Sequence, residues 1–304
     1  MTPIETIPPR SKRWGSLGAG VDVLLCRGAS LRPLTVVTAG IHGDEYEGPA
    51  AVAELARKLD PEIMTGSVAA VPVANPMAFC AAQRVSPGDG QNLARTFPGK
   101  SDGTSTEQLA ALLFEGLARG ADYLIDLHSG GLEYLFSPLA GFYGPATDGN
   151  PSFRAAHHFG LPVLWQLPET AGVLSREAWR IGVASIGAEY LGAGQISPDG
   201  VAAYTAGVLS CLALWGILPA TYLLPAGGHV FAGDWRLAGA TGLFFRCCDL
   251  GDAVVAGDAL AEIRTPAGAV LETLTAPSTG SVLAIRSKAY IREGDWGVLV
   301  ATHV

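Results

Sequence analysis

Leu34-Thr35-Val36-Val37-Thr38-Ala39-Gly40-Ile41-His42-Gly43-Asp44-Glu45-Tyr46-Glu47-Gly48-Pro49 is the stretch that decides the fold. A short uncharged run rich in β-branched residues predicts a buried strand. It breaks at Gly40, and a helix is expected near Glu47, with Pro49 close to position N1, where the missing N–H is not needed. Between strand and helix stand His42 and Glu45. Two intervening residues let both side chains curl onto one ion from a single turn. Far along the chain, Tyr123 to Leu127 forms a second strand-like run that ends in Asp126-Leu127-His128-Ser129-Gly130-Gly131. Two imidazoles and one carboxylate fill three corners of a tetrahedral zinc site and leave the fourth for water, the pattern of a catalytic zinc. Both halves sit at the carboxyl end of a strand, where open α/β sheets build their sites. The competing reading, in which His42 and Glu45 only cap the helix, leaves the second strand-end histidine without a role.

The same alternation continues through the first two-thirds of the chain. Val21 to Cys26, Leu34 to Thr38, Val68 to Val73, Tyr123 to Leu127 and Val183 to Ala188 predict short buried strands. Pro49 to Leu59 and Glu107 to Arg119 carry apolar residues at helical spacing, the second with Ser105 or Thr106 as N-cap. This pattern predicts an α/β fold with a mainly parallel sheet and helices on both faces. After Pro219 the character changes. Gly233-Asp234, Gly251-Asp252, Gly257-Asp258, Pro266-Ala267-Gly268 and Gly294-Asp295 are turn signals spaced too closely for helices, so a small C-terminal all-β domain is expected. The division falls at residues 1–224 and 225–304.

Composition excludes several classes. A net charge of −8, with 20 scattered basic residues among 304, argues against a nucleic-acid surface. The five cysteines (Cys26, Cys80, Cys211, Cys247, Cys248) are odd in number and show no C-x-x-C spacing, which suits a reducing cytoplasm. Met1 to Trp14 has no apolar core and is no signal peptide. Gly200 to Gly228 carries no charge. Even so, Tyr204, Thr205, Ser210 and Gly216 interrupt it and Pro219 ends it, so a helix buried against the sheet is expected in place of a membrane span. An α/β enzyme of this size often associates as a homo-oligomer.

A zinc hydrolase also needs a base and a cation. Glu189 follows the strand-like run Ala184-Ser185-Ile186-Gly187-Ala188 and is expected at the same sheet edge as His42 and His128. The loop from Arg84 to Gly99 places two arginines in a segment too rich in Gly and Pro for a helix, and arginine grips carboxylates bidentately.

Together, His42-x-x-Glu45, this loop with its closing Phe97-Pro98-Gly99, Asp126-Leu127-His128-Ser129 and the strand-end Glu189 resemble the succinylglutamate desuccinylase/aspartoacylase family. That family belongs to the zinc carboxypeptidase-like hydrolases. The match runs from about residue 30 to the end, since the family also carries a C-terminal β domain. Ser86-Pro87-x-Asp89-Gly90 and Asn92-Leu93-x-Arg95 most resemble the branch that deacetylates N-acetyl-2,4-diaminobutyrate. The resemblance implies one zinc per chain on His42, Glu45 and His128, with Glu189 as general base. It also implies Arg84 polarising the scissile carbonyl, Arg95 on the substrate carboxylate, and a small N-acyl amino acid as substrate. One departure stands out: the family's Asn-Arg pair reads Ala94-Arg95 here, so either Asn92 substitutes or the carboxylate is held differently.

Three rival readings compete with this one. One is a zinc carboxypeptidase-like peptidase. Another is a serine hydrolase using Ser129, which Leu127 disfavours because a nucleophile elbow needs a small residue two before the serine. The last is a lipoyl- or biotinyl-type carrier domain, whose exposed lysine could only be Lys288, in a context without the flanking pattern.

Overall fold

The structure, a computed structural model, describes residues 3–304. Its first part alternates strands and helices: β1 (Ser11–Gly18), β2 (Val21–Arg27), β3 (Leu34–Ala39), α1 (Glu47–Lys58), β4 (Ser67–Val71), α2 (Pro76–Cys80), α3 (Ser105–Gly116), β5 (Tyr123–His128), β6 (Tyr134–Phe142), α4 (Pro151–His158), β7 (Val163–Gln166), α5 (Leu174–Arg180), β8 (Ala184–Gly192) and α6 (Pro198–Leu214). Only strands and turns follow: β9 (His229–Leu237), β10 (Gly242–Arg246), β11 (Ala253–Val254), β12 (Ala259–Arg264), β13 (Val270–Thr275), β14 (Gly280–Arg286), β15 (Tyr290–Ile291) and β16 (Trp296–His303).

Twelve strands form one sheet in the order β1-β2-β4-β3-β5-β8-β6-β7-β9-β16-β14-β11. The expectation of a mainly parallel sheet is corrected here, because the sheet is mixed. Five of its twelve pairings are parallel, among them the central run β4-β3-β5-β8. The cause is loop length. Parallel neighbours need a long crossover, whereas β5 and β6 are joined by residues 129–133 alone, and β6 enters the sheet against β8 in the opposite sense. The tight Gly18-Ala19-Gly20 turn, with positive φ at all three residues, likewise folds β1 back on β2.

Alternation along the central strands divides the core. Val37 and Ile125 join a cluster with Ala51, Val52 and Leu55 of α1 and Val208 and Leu212 of α6. Their neighbours Val36 and Leu124 join another with Leu109 and Leu113 of α3 and Leu174 of α5. The uncharged stretch after Gly200 is the body of α6, whose Val208, Cys211 and Leu212 are fully buried. No helix among the described residues is long and apolar enough to cross a membrane.

Cap positions shift slightly. Thr104 caps α3, accepting from Glu107 N while Glu107 returns the bond to Thr104 N, so the cap lies one residue before the expected Ser105. Pro49 is the third residue of α1, not the first.

A pairing between β6 and β14 closes β6-β7-β9-β16-β14 into a ring of five strands. One face of β14 and β16 (Val282, Ile285, Val298, Val300) packs on Leu260, Ile263 and Leu274 of the four-stranded sheet β13-β12-β10-β15. Leu283, Leu299 and Ala301, on the other face, meet Leu139 of β6 and Val163 of β7 inside the ring.

Candidate active site

The turn after β3 is built from glycine. Gly40 takes φ +61°. A Cβ on Gly43 would lie 1.9 Å from the carbonyl carbon of Ala78, so only glycine lets this turn lie against α2. The result is a close approach of His42 to Glu45, Nδ1 to Oε1, at 2.7 Å. From the last residue of β5, His128 Nδ1 comes within 2.9 Å of the other oxygen, Oε2. Ligand atoms of His42, Glu45 and His128 all lie within 4.8 Å of one another. Each imidazole turns Nδ1 toward Glu45 and ties Nε2 to an oxygen: Asn92 Oδ1 at 3.0 Å for His42, Asp126 Oδ2 at 3.0 Å for His128. Asp126 is itself fixed by Thr38 Oγ1 at 2.6 Å, and Tyr204 OH donates to the His128 carbonyl. Such outer hydrogen bonds fix the ring orientation of metal-binding histidines. The convergent N, N, O donor set fits zinc.

The electrostatics follow from burial. Loss of solvent, followed by the nearby Arg84, holds the His42 imidazole down at about 4. Burial works against charge on Glu45 too, but the two histidines outweigh it and keep the carboxylate ionised. Burial also opposes charge on His128, yet Asp126 and Glu45 on either side raise it well above its ordinary value.

Glu189 stands beside His128 in the β5–β8 register. Burial, reinforced by the negative Glu45, pushes its carboxyl up to about 8, and its Oε2 is buried without a partner. Arg84 Nη1 donates to Glu45 Oε1 at 3.1 Å. Arg95 lies on a 3-10 turn, Leu93–Arg95, capped by the Asn92 side chain. Backbone of this turn presses on Gly172, where a Cβ would meet the Arg95 carbonyl oxygen at 2.2 Å. Among the described residues Arg95 forms no ion pair; Nη1 reaches only the Ala94 carbonyl.

His42, Arg84, Arg95, His128 and Glu189 all line one cavity of about 210 Å³. Glu45 lies 2% exposed beneath it. Asn92 is not on the wall; its Oδ1 is used by His42 and by Ala94 N. Ser129 borders the cavity too, but among the described residues no histidine hydrogen-bonds its Oγ, so it has no histidine base.

The sequence reading missed the opposite wall. Tyr134, Phe136, Trp165, Trp235 and Trp296 line the cavity from β6, β7, β9 and β16. Nothing local marks them, since they meet only when the ring closes. Asp126, by contrast, carried a signal: two residues before His128 on a strand, it shares that face.

Comparison with known proteins bears on this arrangement. A family model for the succinylglutamate desuccinylase/aspartoacylase catalytic domain matches residues 32–215. The N-alpha-acetyl-L-2,4-diaminobutyric acid deacetylase of Halomonas elongata is 30% identical over 300 residues, covering 95% of this chain and 86% of the relative. The product-bound ectoine utilization protein EutE (DoeB) from Ruegeria pomeroyi superposes with a TM-score of 0.86 at 30% identity, 98% of each chain being covered. A succinylglutamate desuccinylase/aspartoacylase from Rhodobacter sphaeroides gives 0.87 at 26% identity, again over 98% of each chain.

Proposed function

The chain belongs to the succinylglutamate desuccinylase/aspartoacylase family, and from that membership we propose that it is a zinc-dependent deacylase, hydrolysing the amide of an N-acyl amino acid or related small carboxylate-bearing amide. His42, Glu45 and His128 would hold the ion, one per chain. When bound, zinc supplies a Lewis acid at the reacting carbonyl.

The protein's own groups do the rest. Glu189 takes a proton from the attacking water and hands it to the nitrogen of the leaving amine, so that a C–O bond forms as the C–N bond breaks. Its raised pKa suits both halves of this exchange, because a base near the working pH also returns its proton. Arg84 stabilises negative charge growing on the carbonyl oxygen. Arg95 grips the substrate carboxylate without help from Ala94, whose side chain has no donor, or from Asn92, which is not on the cavity wall. Residues 225–304 form, in this reading, an attached β domain that completes the pocket.

The observation that carries the proposal is Arg95, a guanidinium with no acid partner among the described residues, lining the same cavity as a buried His-Glu-His cluster. A test follows with zinc-loaded enzyme and an N-acyl amino acid against its carboxamide. We expect the carboxamide to lose most of its kcat/KM, Arg95→Ala mainly to raise KM, and Arg84→Ala mainly to lower kcat. His128→Ala should lose zinc as well as activity. Equal turnover of the two substrates, or full metal content in His128→Ala, refutes the corresponding assignment.

A further inference from the structure

We propose that the acyl half of the substrate is a bulky apolar group, held on the aromatic wall with stacked Trp235 and Trp296 as specificity-determining residues. The inference rests on the deacylase reading above and extends it to the substrate class.

Position is the first argument. Arg84 comes from the loop after α2 and Arg95 from the turn that backs on Gly172 after β7, His128 and Glu189 stand on β5 and β8, and the aromatics come from β6, β7, β9 and β16, all lining one cavity. For a substrate with its carboxylate on Arg95 and its amide at Glu189, the aromatic wall is the large apolar surface of that cavity left for the acyl half.

Construction is the second. Trp235 and Trp296 stack at 4.9 Å between ring centres, while Tyr134 and Phe136 meet Trp235 edge-on at 5.7 and 5.9 Å. Leu139 and Leu299 from the ring interior complete the surface. Trp296 nevertheless remains 36% exposed. Large apolar side chains fixed against one another yet left open to a cavity mark a binding surface.

Charge decides between an apolar group and a cation, the other ligand that aromatic rings favour. The buried Arg286 guanidinium already lies over the Tyr134 ring at 5.6 Å and donates to its hydroxyl. Arg84 and Arg95 add two positive charges to the cavity wall, and the one facing carboxylate, Glu189, is needed as base. A second cation would find no free partner there.

The test uses zinc-loaded enzyme and N-acetyl, N-butanoyl, N-hexanoyl and N-benzoyl derivatives of 2,4-diaminobutyrate, aspartate and glutamate, with amine release as readout. Each buried methylene can contribute about fourfold, so hexanoyl should exceed acetyl in kcat/KM by at least about 10-fold. Trp235→Leu and Trp296→Leu, checked for native thermal melting, should shrink that ratio toward one. An acetyl preference, or a ratio unmoved in both variants, overturns the proposal. Failure to hydrolyse any member refutes the deacylase reading instead. In that event quenching of tryptophan fluorescence by hexanoate and benzoate, but not acetate, still supports the wall, and equal quenching by all three removes it.

Discussion

The convergence of His42, Glu45 and His128 could be read from the chain because its parts are local: a His-x-x-Glu turn and a strand-end histidine need only secondary structure to be placed. The position of Glu189 was legible for the same reason, but its charge state was not, since that depends first on burial and then on Glu45, which lies 144 positions earlier in the numbering. In metal-free protein burial lifts its carboxyl from 4.5 to about 8, and a divalent cation beside it pulls the value back down. As the proposed base it must be ionised, so kcat/KM should rise with pH along an acid limb lying between those two values. Glu189→Gln should keep zinc, lose about 10²–10⁴-fold in rate and lose the limb; a variant with an unchanged limb would remove Glu189 from the mechanism. The same shift has a sign for stability. Its folded pKa stands above the unfolded one, so the contribution of Glu189 is present below about 4.5 and is lost as pH rises through about 8. Metal-free Glu189→Gln should therefore gain in melting temperature on wild type as pH rises across that window.

Elements were legible where a buried strand or a full helix repeats its period, and illegible where chemistry interrupts it. β6 escaped detection because Pro138 and Gly141 stand inside it, residues that argue against a central strand. α5, at seven residues, is too short to show a helical repeat. The arginine loop reads as irregular, yet it is tied down. Asp89 accepts from Thr106 N at 2.9 Å, Thr106 Oγ1 at 2.7 Å, Ser105 Oγ at 3.1 Å and Gln91 N at 3.1 Å. Burial opposes its charge, but these bonds prevail and hold the carboxyl below the ordinary range. Here an acid at the start of α3 fixes the segment bearing Arg84 and Arg95. Asp89→Ala should cost about 1 kcal/mol, like the loss of a helix cap, and raise KM several-fold, with Asp89→Asn intermediate. An unaltered KM would mean that the contact with Gly172 positions the arginines alone.

At the scale of the molecule, the ring was invisible in the sequence because no local pattern shows which strands will meet. It joins β6 and β7 of the first part to β9, β14 and β16 of the second. Deleting residues 225–304 would take β14 from β6 and β9 from β7 and bare Leu139 and Val163, buried at 4% and 6% exposure. Residues 1–224 alone should give no cooperative melting transition; a soluble, zinc-binding fragment that melts cooperatively would show the ring to be dispensable. Closure of this ring also has a consequence in time. Arg286 reaches Tyr134 across 152 positions of chain, and contacts so distant in sequence are slow to find each other because their loop entropy must be overcome first. The parallel centre, with its nearer neighbours, can consolidate earlier. On dilution from denaturant, helical circular dichroism should return before the emission of Trp235 and Trp296 settles, and simultaneous recovery would contradict that order. The His42-Glu45-His128 cradle would then be assembled before the aromatic wall, so on the proposed reading a half-folded chain could capture an ion while still unable to choose a substrate.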